Sequence, residues 1–115
     1  MNVCGLGPSL NKGERVPYLF EYTEEARAHL RGLTAAQRSL VLDTLQDQLT
    51  HQPTEPTRNR KPMFANRLLA DWELRIRNLR VFYNVYEEPE QVVSIRAIGT
   101  KKGNKLFILG EEMQL

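Results

Sequence analysis

The chain has 115 residues, 41% of them hydrophobic and 26% charged, with a formal net charge of +2. That is one domain's length, enough to build a core without disulfide or metal staples. The single cysteine, Cys4, excludes an intramolecular disulfide and a cysteine-based zinc site. No apolar run approaches the ~20 residues of a membrane span, and the start of the chain lacks the apolar core of a secretory signal, so a soluble, cytoplasmic protein with no membrane partner is expected.

Residues 1–15, with Gly5, Gly7, Pro8 and Gly13 and few apolar side chains, read as a flexible extension ahead of a single domain over 16–115. Val16 to Tyr22 is a predicted strand with Tyr18, Phe20 and Tyr22 on one face. Thr23 is a suitable N-cap, and Glu24 and Glu25 put negative charge where a helix dipole favours it. Ala26, Leu30 and Leu33 form the apolar stripe of this first helix, and Gly32 stops it. Thr34 with Gln37 three residues on is a capping-box pattern opening a second helix, whose buried face is Val41, Leu42, Leu45 and Leu49. Two helices joined so tightly predict an antiparallel hairpin.

From His51 to Pro62 three prolines among polar residues exclude helix, so a loop carries Arg58, Arg60 and Lys61 toward the strands. Met63 to Asp71 is an irregular approach. Trp72, Leu74 and Ile76 then alternate with Glu73, Arg75 and Arg77, the period-2 signature of a half-buried strand. Asn78-Leu79 is a turn, Arg80 to Tyr86 a second strand, Glu87 to Glu90 a polar connection, and Val92 to Gly99 a third strand, apolar enough for a central position. Short connections make this an antiparallel meander. Thr100 to Lys105 is a basic turn, Leu106 to Leu109 a further short strand, and 110–115 an acidic tail. The expected class is α+β: an N-terminal strand and a two-helix hairpin on one face of an antiparallel three- to four-stranded sheet, with the other face free and basic.

Charge is unevenly spread. Between Arg58 and Lys105 there are eleven lysines and arginines against five acids, a surplus of +6 that leaves −4 for the rest. Arg75, Arg77, Arg80 and Arg96 crowd strands that need no arginine to fold, and such segregation points to a polyanion partner.

The order of elements, Lys61-Pro62, the Trp-Glu-Leu-Arg-Ile of 72–76, the Leu-Arg-Val-Phe-Tyr of 79–83, and Ala-Ile-Gly at 97–99 followed by basic residues resemble the RelE/ParE superfamily, toxins of bacterial toxin–antitoxin pairs. The resemblance spans roughly Tyr18 to Phe107. It implies a partner antitoxin and one of two activities: cleavage of messenger RNA on the ribosome, as in the RelE-like branch, or inhibition of DNA gyrase without chemistry, as in the ParE-like branch. A member that keeps only antitoxin binding is a third reading. No cofactor and no metal are implied.

Metal-independent RNA cleavage through the 2′-OH needs the extra phosphate charge stabilised, a task for arginine's planar fork. By resemblance Arg80 takes that position, with Arg75 beside it and Lys101 as a further catalytic candidate, an acid–base group only if burial lowered its pKa. Arg60, Lys61, Arg77, Lys102 and Lys105 are the expected RNA-phosphate contacts. Phe107 stands where many relatives carry a tyrosine; it can stack on a base but cannot exchange a proton. Relatives with a histidine there have no counterpart here, since His29 and His51 both fall on the predicted helix hairpin. Glu73 is the one carboxylate expected beside Arg75, more suited to an ion pair than to a base's role.

Overall fold

The computed structural model describes residues 16–115, so the expected 1–15 extension lies outside the described residues. β1 (Leu19–Tyr22) leads into α1 (Glu24–Arg31) and α2 (Ala35–Leu49), followed by β2 (Arg60–Pro62), β3 (Trp72–Ile76), β4 (Leu79–Tyr86), β5 (Val92–Lys102), β6 (Lys105–Ile108) and β7 (Glu111–Met113). The class is α+β as expected, but the described sheet has seven strands rather than three or four, six in the order β2-β3-β4-β5-β6-β7 and β1 beside β5. β2 and β7 are three residues each, too short for an alternation to register, and they end the sheet in blunt edges that resist pairing with other chains.

The first strand does not extend the meander. β1 pairs parallel to β5, Leu19 with Val92 through Tyr22 with Ile95, so the sheet is mixed. β5 has β4 along one side, Leu79 to Tyr86 against Val92 to Thr100. Its other side is shared: β1 takes 92–95 and β6 takes 100–102. Between them the backbone of β5 has no strand beside it, and the start of the helix layer fills the gap. The Thr23 N–H donates to the Ile95 carbonyl at 3.1 Å, and the Thr23 hydroxyl donates to that of Arg96 at 3.2 Å. The Ile98 N–H donates to Nδ1 of His29 at 3.1 Å. These contacts satisfy three backbone groups at the break.

Local signals hold where the chemistry is local. The Thr23 hydroxyl accepts from the Ala26 N–H, and Thr34 and Gln37 form the full capping box. The carbonyls at the end of α1 are held by Arg38, which donates Nε to Leu30 and Nη2 to Leu33. Val41, Leu45 and Leu49 of α2 are buried, whereas Leu42 is exposed, because the buried stripe follows the i, i+4 row. α2 stops at Leu49 with Thr50 as its C-cap, leaving His51 outside the helix. The β3–β4 turn is Arg77-Asn78 rather than Asn78-Leu79, with Ile76 paired to Leu79 and Arg77 at a φ of +56°.

Both helices bury their apolar stripes against Leu74, Val81, Tyr83, Val93, Ile95 and Ile98. Fully burying each such side chain stabilises the fold by roughly 1.5–3 kcal/mol. Val93 and Ile95 share that face with Ile98 despite the odd-to-even change because β5 has a bulge. Ala97 pairs with Phe82 and Ile95 with Tyr83, leaving Arg96 as the extra residue. Tyr83 stacks on Trp72 and donates its hydroxyl to the Pro53 carbonyl at 2.6 Å, tying the 50–59 loop to the sheet.

The second face is not wholly free. The 63–71 loop folds back on it, where Met63, Leu68 and Ala70 join Phe82, Ala97, Leu106 and Ile108 in a smaller apolar cluster. Asn66 holds the loop's shape, donating to the carbonyls of Phe64 and Ala70 and accepting from the N–H groups of Leu68 and Ala70. Asn84 pins it to β4 through Asp71 and Leu69. The end of this face nearest the β3–β4 turn stays open. Among the described residues no helix is long and apolar enough to cross a membrane.

Candidate nucleic-acid interface

The open end of the second face is built by register. Arg75 on β3 lies opposite Arg80 on β4, Glu73 opposite Phe82, Lys61 on β2 opposite Glu73, and Gly99 on β5 opposite Arg80. Alternation from Gly99 brings Lys101 to the same face, so Lys61, Glu73, Arg75, Arg80 and Lys101 share one surface.

Arg80 is its fixed point. The residue is 9% exposed, not the exposed strand residue that alternation predicts. Its Nη1 donates to the carbonyls of Arg77 and Leu79, both at 2.8 Å, and Nε lies 3.5 Å from Oε2 of Glu73. Among the described residues its Nη2 has no hydrogen-bond partner, so one arm of the fork remains for a ligand. Burial and the neighbouring Arg75 hold the guanidinium below its usual range, with Glu73 opposing them. Glu73 is engaged at both oxygens, Oε1 lying 3.5 Å from Lys61 and Oε2 facing Arg80. That arrangement orients Arg80. Arg75 is exposed and its side chain contacts no acid.

The other expected contacts lie elsewhere. Arg60 faces the opposite way, opposite Leu74; it is 5% exposed and donates to the Gln52 carbonyl and to Gln48. It ties the end of α2 to β2, and Nε stays buried without a partner. The pattern that betrays it is the pairing with Leu74, which only a recognised β2 would supply. Arg77 is exposed in the β3–β4 turn. Lys102, Lys105 and Phe107 lie on the helix side, since Phe107 pairs with Thr100 while its neighbours Leu106 and Ile108 point into the smaller cluster. Lys102 Nζ sits 5.4 Å from the Phe107 ring centroid, and both line a cleft of about 560 Å³ beside the α1–α2 turn. Lys105 reaches Glu112 at 4.0 Å. The basic residues therefore form two groups on opposite faces of the sheet.

His29 is the residue that sequence reasoning undervalued. With Nδ1 accepting from Ile98, its neutral ring carries the proton on Nε2. Burial lowers its pKa, and Glu25 partly opposes that. His29 and Phe107 both lie away from the Arg80 surface. Among the described residues no three His, Cys, Asp or Glu side chains converge as metal ligands.

A helix pair on one face of a predominantly antiparallel sheet is the architecture of a RelE-like toxin, the class that the sequence resembles. Among solved structures the chain is similar to a chain of the toxin–antitoxin complex RelBE2 from Mycobacterium tuberculosis. The two share 25% identity with a TM-score of 0.62, over 76% of this chain and 95% of that one. No protein-family model matches the sequence, and no curated protein matches it.

Proposed function

We propose that the chain is the toxin of a toxin–antitoxin pair and that it cleaves messenger RNA on the ribosome. The observation that carries this reading is the cross-strand pairing of Arg75 with Arg80. Like charges directly opposite each other destabilise a sheet, so the pair costs the fold stability that an anionic ligand would return. A scissile phosphate held by Nη2 of Arg80 and by Arg75 has its developing charge stabilised as the adjacent ribose 2′-OH attacks phosphorus and the 5′ oxygen leaves. Lys61 and Lys101 flank this position and hold the strand on either side. Glu73 sets the angle of Arg80. The cytoplasm is the compartment where this substrate is met, and the neutralising partner is the cognate antitoxin.

One observation favours a second reading, gyrase inhibition without chemistry. Among the described residues the surface around Arg80 carries no histidine or tyrosine to exchange protons, since His29 and Phe107 face elsewhere. Under the nuclease reading Lys101 or the ribosome completes the proton transfers.

The test adds purified protein to a reconstituted translation system and maps mRNA ends by primer extension. Arg75→Ala is the variant of choice because its side chain supports nothing in the fold. Ribosome-dependent cuts that vanish with Arg75→Ala bear out the nuclease reading. Intact mRNA together with blocked gyrase supercoiling overturns it in favour of the second.

A further inference from the structure

A second surface lies across β5 from Arg80. Between α1 and the 63–71 loop is a cleft of about 300 Å³, floored by Ala97, Ile108 and Met113. Arg96 and Arg67 reach it from the sheet and the loop, and Glu25 is the sole carboxylate on its rim. Neither arginine side chain makes a hydrogen bond or ion pair among the described residues, and neither does Glu25. Arg96 is the extra residue of the β5 bulge, a device that re-aims one side chain out of a strand's alternation. His29 adds a donor: with Nδ1 occupied by Ile98, its remaining ring nitrogen carries a proton.

The loop wall is shaped as well. Leu69 is 70% exposed at a φ of +55°, a left-handed conformation that a leucine rarely adopts. It is kept there by the Asn84 side chain, which donates to its carbonyl, and by the Asn66 carbonyl, which accepts its N–H. A large apolar side chain is thus held outward on a pinned loop next to two arginines. Arginine and exposed apolar side chains over a dry floor are the ingredients of a protein-binding hot spot. No Phe, Tyr or Trp ring lines the cleft, which leaves a nucleobase only the imidazole of His29 and the arginine planes to stack on.

We propose that this cleft docks a segment of a partner protein, seating one apolar side chain over Ile108 and Met113 and setting flanking carboxylates against Arg67 and Arg96. The partner is acidic and amphipathic where it binds. On the toxin–antitoxin reading, on which its identity rests, it is the antitoxin. The cleft shares no lining residue with the Arg75 and Arg80 surface, so the segment anchors the partner beside the phosphate position rather than on it.

The test uses the full chain, isotope-labelled for amide NMR, titrated with the blocked hexapeptide Glu-Leu-Glu-Glu-Leu-Glu and with its lysine counterpart. The expected result is that the glutamate peptide shifts the amides of 67–69, 96–97 and 108–113 and binds at least ~10-fold more tightly than the lysine peptide, a difference of about 1.4 kcal/mol. Arg67→Glu with Arg96→Glu should reverse that preference at an unchanged melting temperature, since neither side chain supports the fold. Equal binding of the two peptides, shifts confined to the Arg75 and Arg80 surface, or an unaltered preference in the double variant would overturn the proposal. So would an oligo-uridylate RNA that gives the same shifts and loses them in the double variant, for the surface would then be an RNA contact. The translation assay with Arg75→Ala reports on the nuclease reading independently of these outcomes.

Discussion

Changing His29 to leucine removes the acceptor that holds the Ile98 N–H while keeping an apolar side chain of similar size over it. Ile98 is 2% exposed, and an unpaired buried N–H costs about 1–3 kcal/mol. At ~4–8 °C per kcal/mol for a domain near this size, the melting temperature should fall by roughly 5–20 °C. His29→Asn is the control, because its Oδ1 stands as many bonds from the backbone as Nδ1 and keeps the acceptor. It should stay within ~1 kcal/mol of the parent. The two variants also separate by pH. Burial lowers the pKa of His29 from 6.5, against the pull of Glu25, so the folded state prefers the neutral ring. The stability from this contact is therefore complete above 6.5 and is lost as pH falls through the lowered folded value, where protonation sets an N–H against the N–H of Ile98. Glu25 on α1, Arg67 and Arg96 across one cleft, and Lys102 across the other are the charges that face the ring. Urea melts between about pH 5 and pH 8 should show the parent losing its advantage over His29→Asn on acidification and holding it constant above neutrality. A leucine variant as stable as the parent near neutral pH, or a parent–asparagine difference indifferent to acid, would refute this account of the gap in β5.

Arg80→Ala should melt lower as well as lose activity: two charge-assisted bonds to carbonyls and the Glu73 pair go with it, a cost of about 1.5–3 kcal/mol, read by thermal denaturation. A variant as stable as the parent would mean that Arg80 is not fixed by those carbonyls. Glu73→Gln removes the anion that competes for Lys61 and Arg80, so single-stranded RNA should bind several-fold more tightly in fluorescence anisotropy with a steeper salt dependence; unchanged binding would remove these residues from the interface. Arg77→Gly relieves a left-handed backbone that a side chain resists and should raise stability by roughly 0.5–1 kcal/mol in urea melts, with no gain showing that the turn costs nothing.

Helix starts were the most legible part of the sequence because capping is chemistry within four residues: Thr23, and Thr34 with Gln37, act as their spacing says. The three long antiparallel strands were legible, β3 by alternation and β4 and β5 by their β-branched and apolar runs, but the expected Asn78-Leu79 turn would set Arg77 opposite Arg80, and the actual turn one residue earlier makes Arg75 its partner. What else failed depended on pairing distant in sequence. Nothing near Leu19 announces a parallel partner at Val92. Arg60 reads as a loop cation until β2 is set against β3, which turns it inward. Phe107 was expected beside the phosphate contacts, but the alternation of Leu106 and Ile108 into the smaller cluster sends it to the other side. The bulge at Arg96 reverses the parity of β5, which no period-2 count survives. The 63–71 loop has no periodicity at all, yet Asn66 and Asn84 fix it as firmly as a strand.

The divided flank of β5 also sets an order of assembly. The strands from β3 to β7 close through neighbouring hairpins, whereas β1 and the Thr23 and His29 contacts wait for a strand that begins at Val92. Synthesis runs from the N-terminus, so the helix pair emerges long before the sheet that it covers, and β4 before its central partner. Arg75 and Arg80 meet in the β3–β4 hairpin, but an isolated two-stranded hairpin is at best marginally stable in water. Their surface becomes rigid only when β5 has left the ribosome. The interval in which the finished chain acquires its basic face is thus set by the closing of one long-range strand pair.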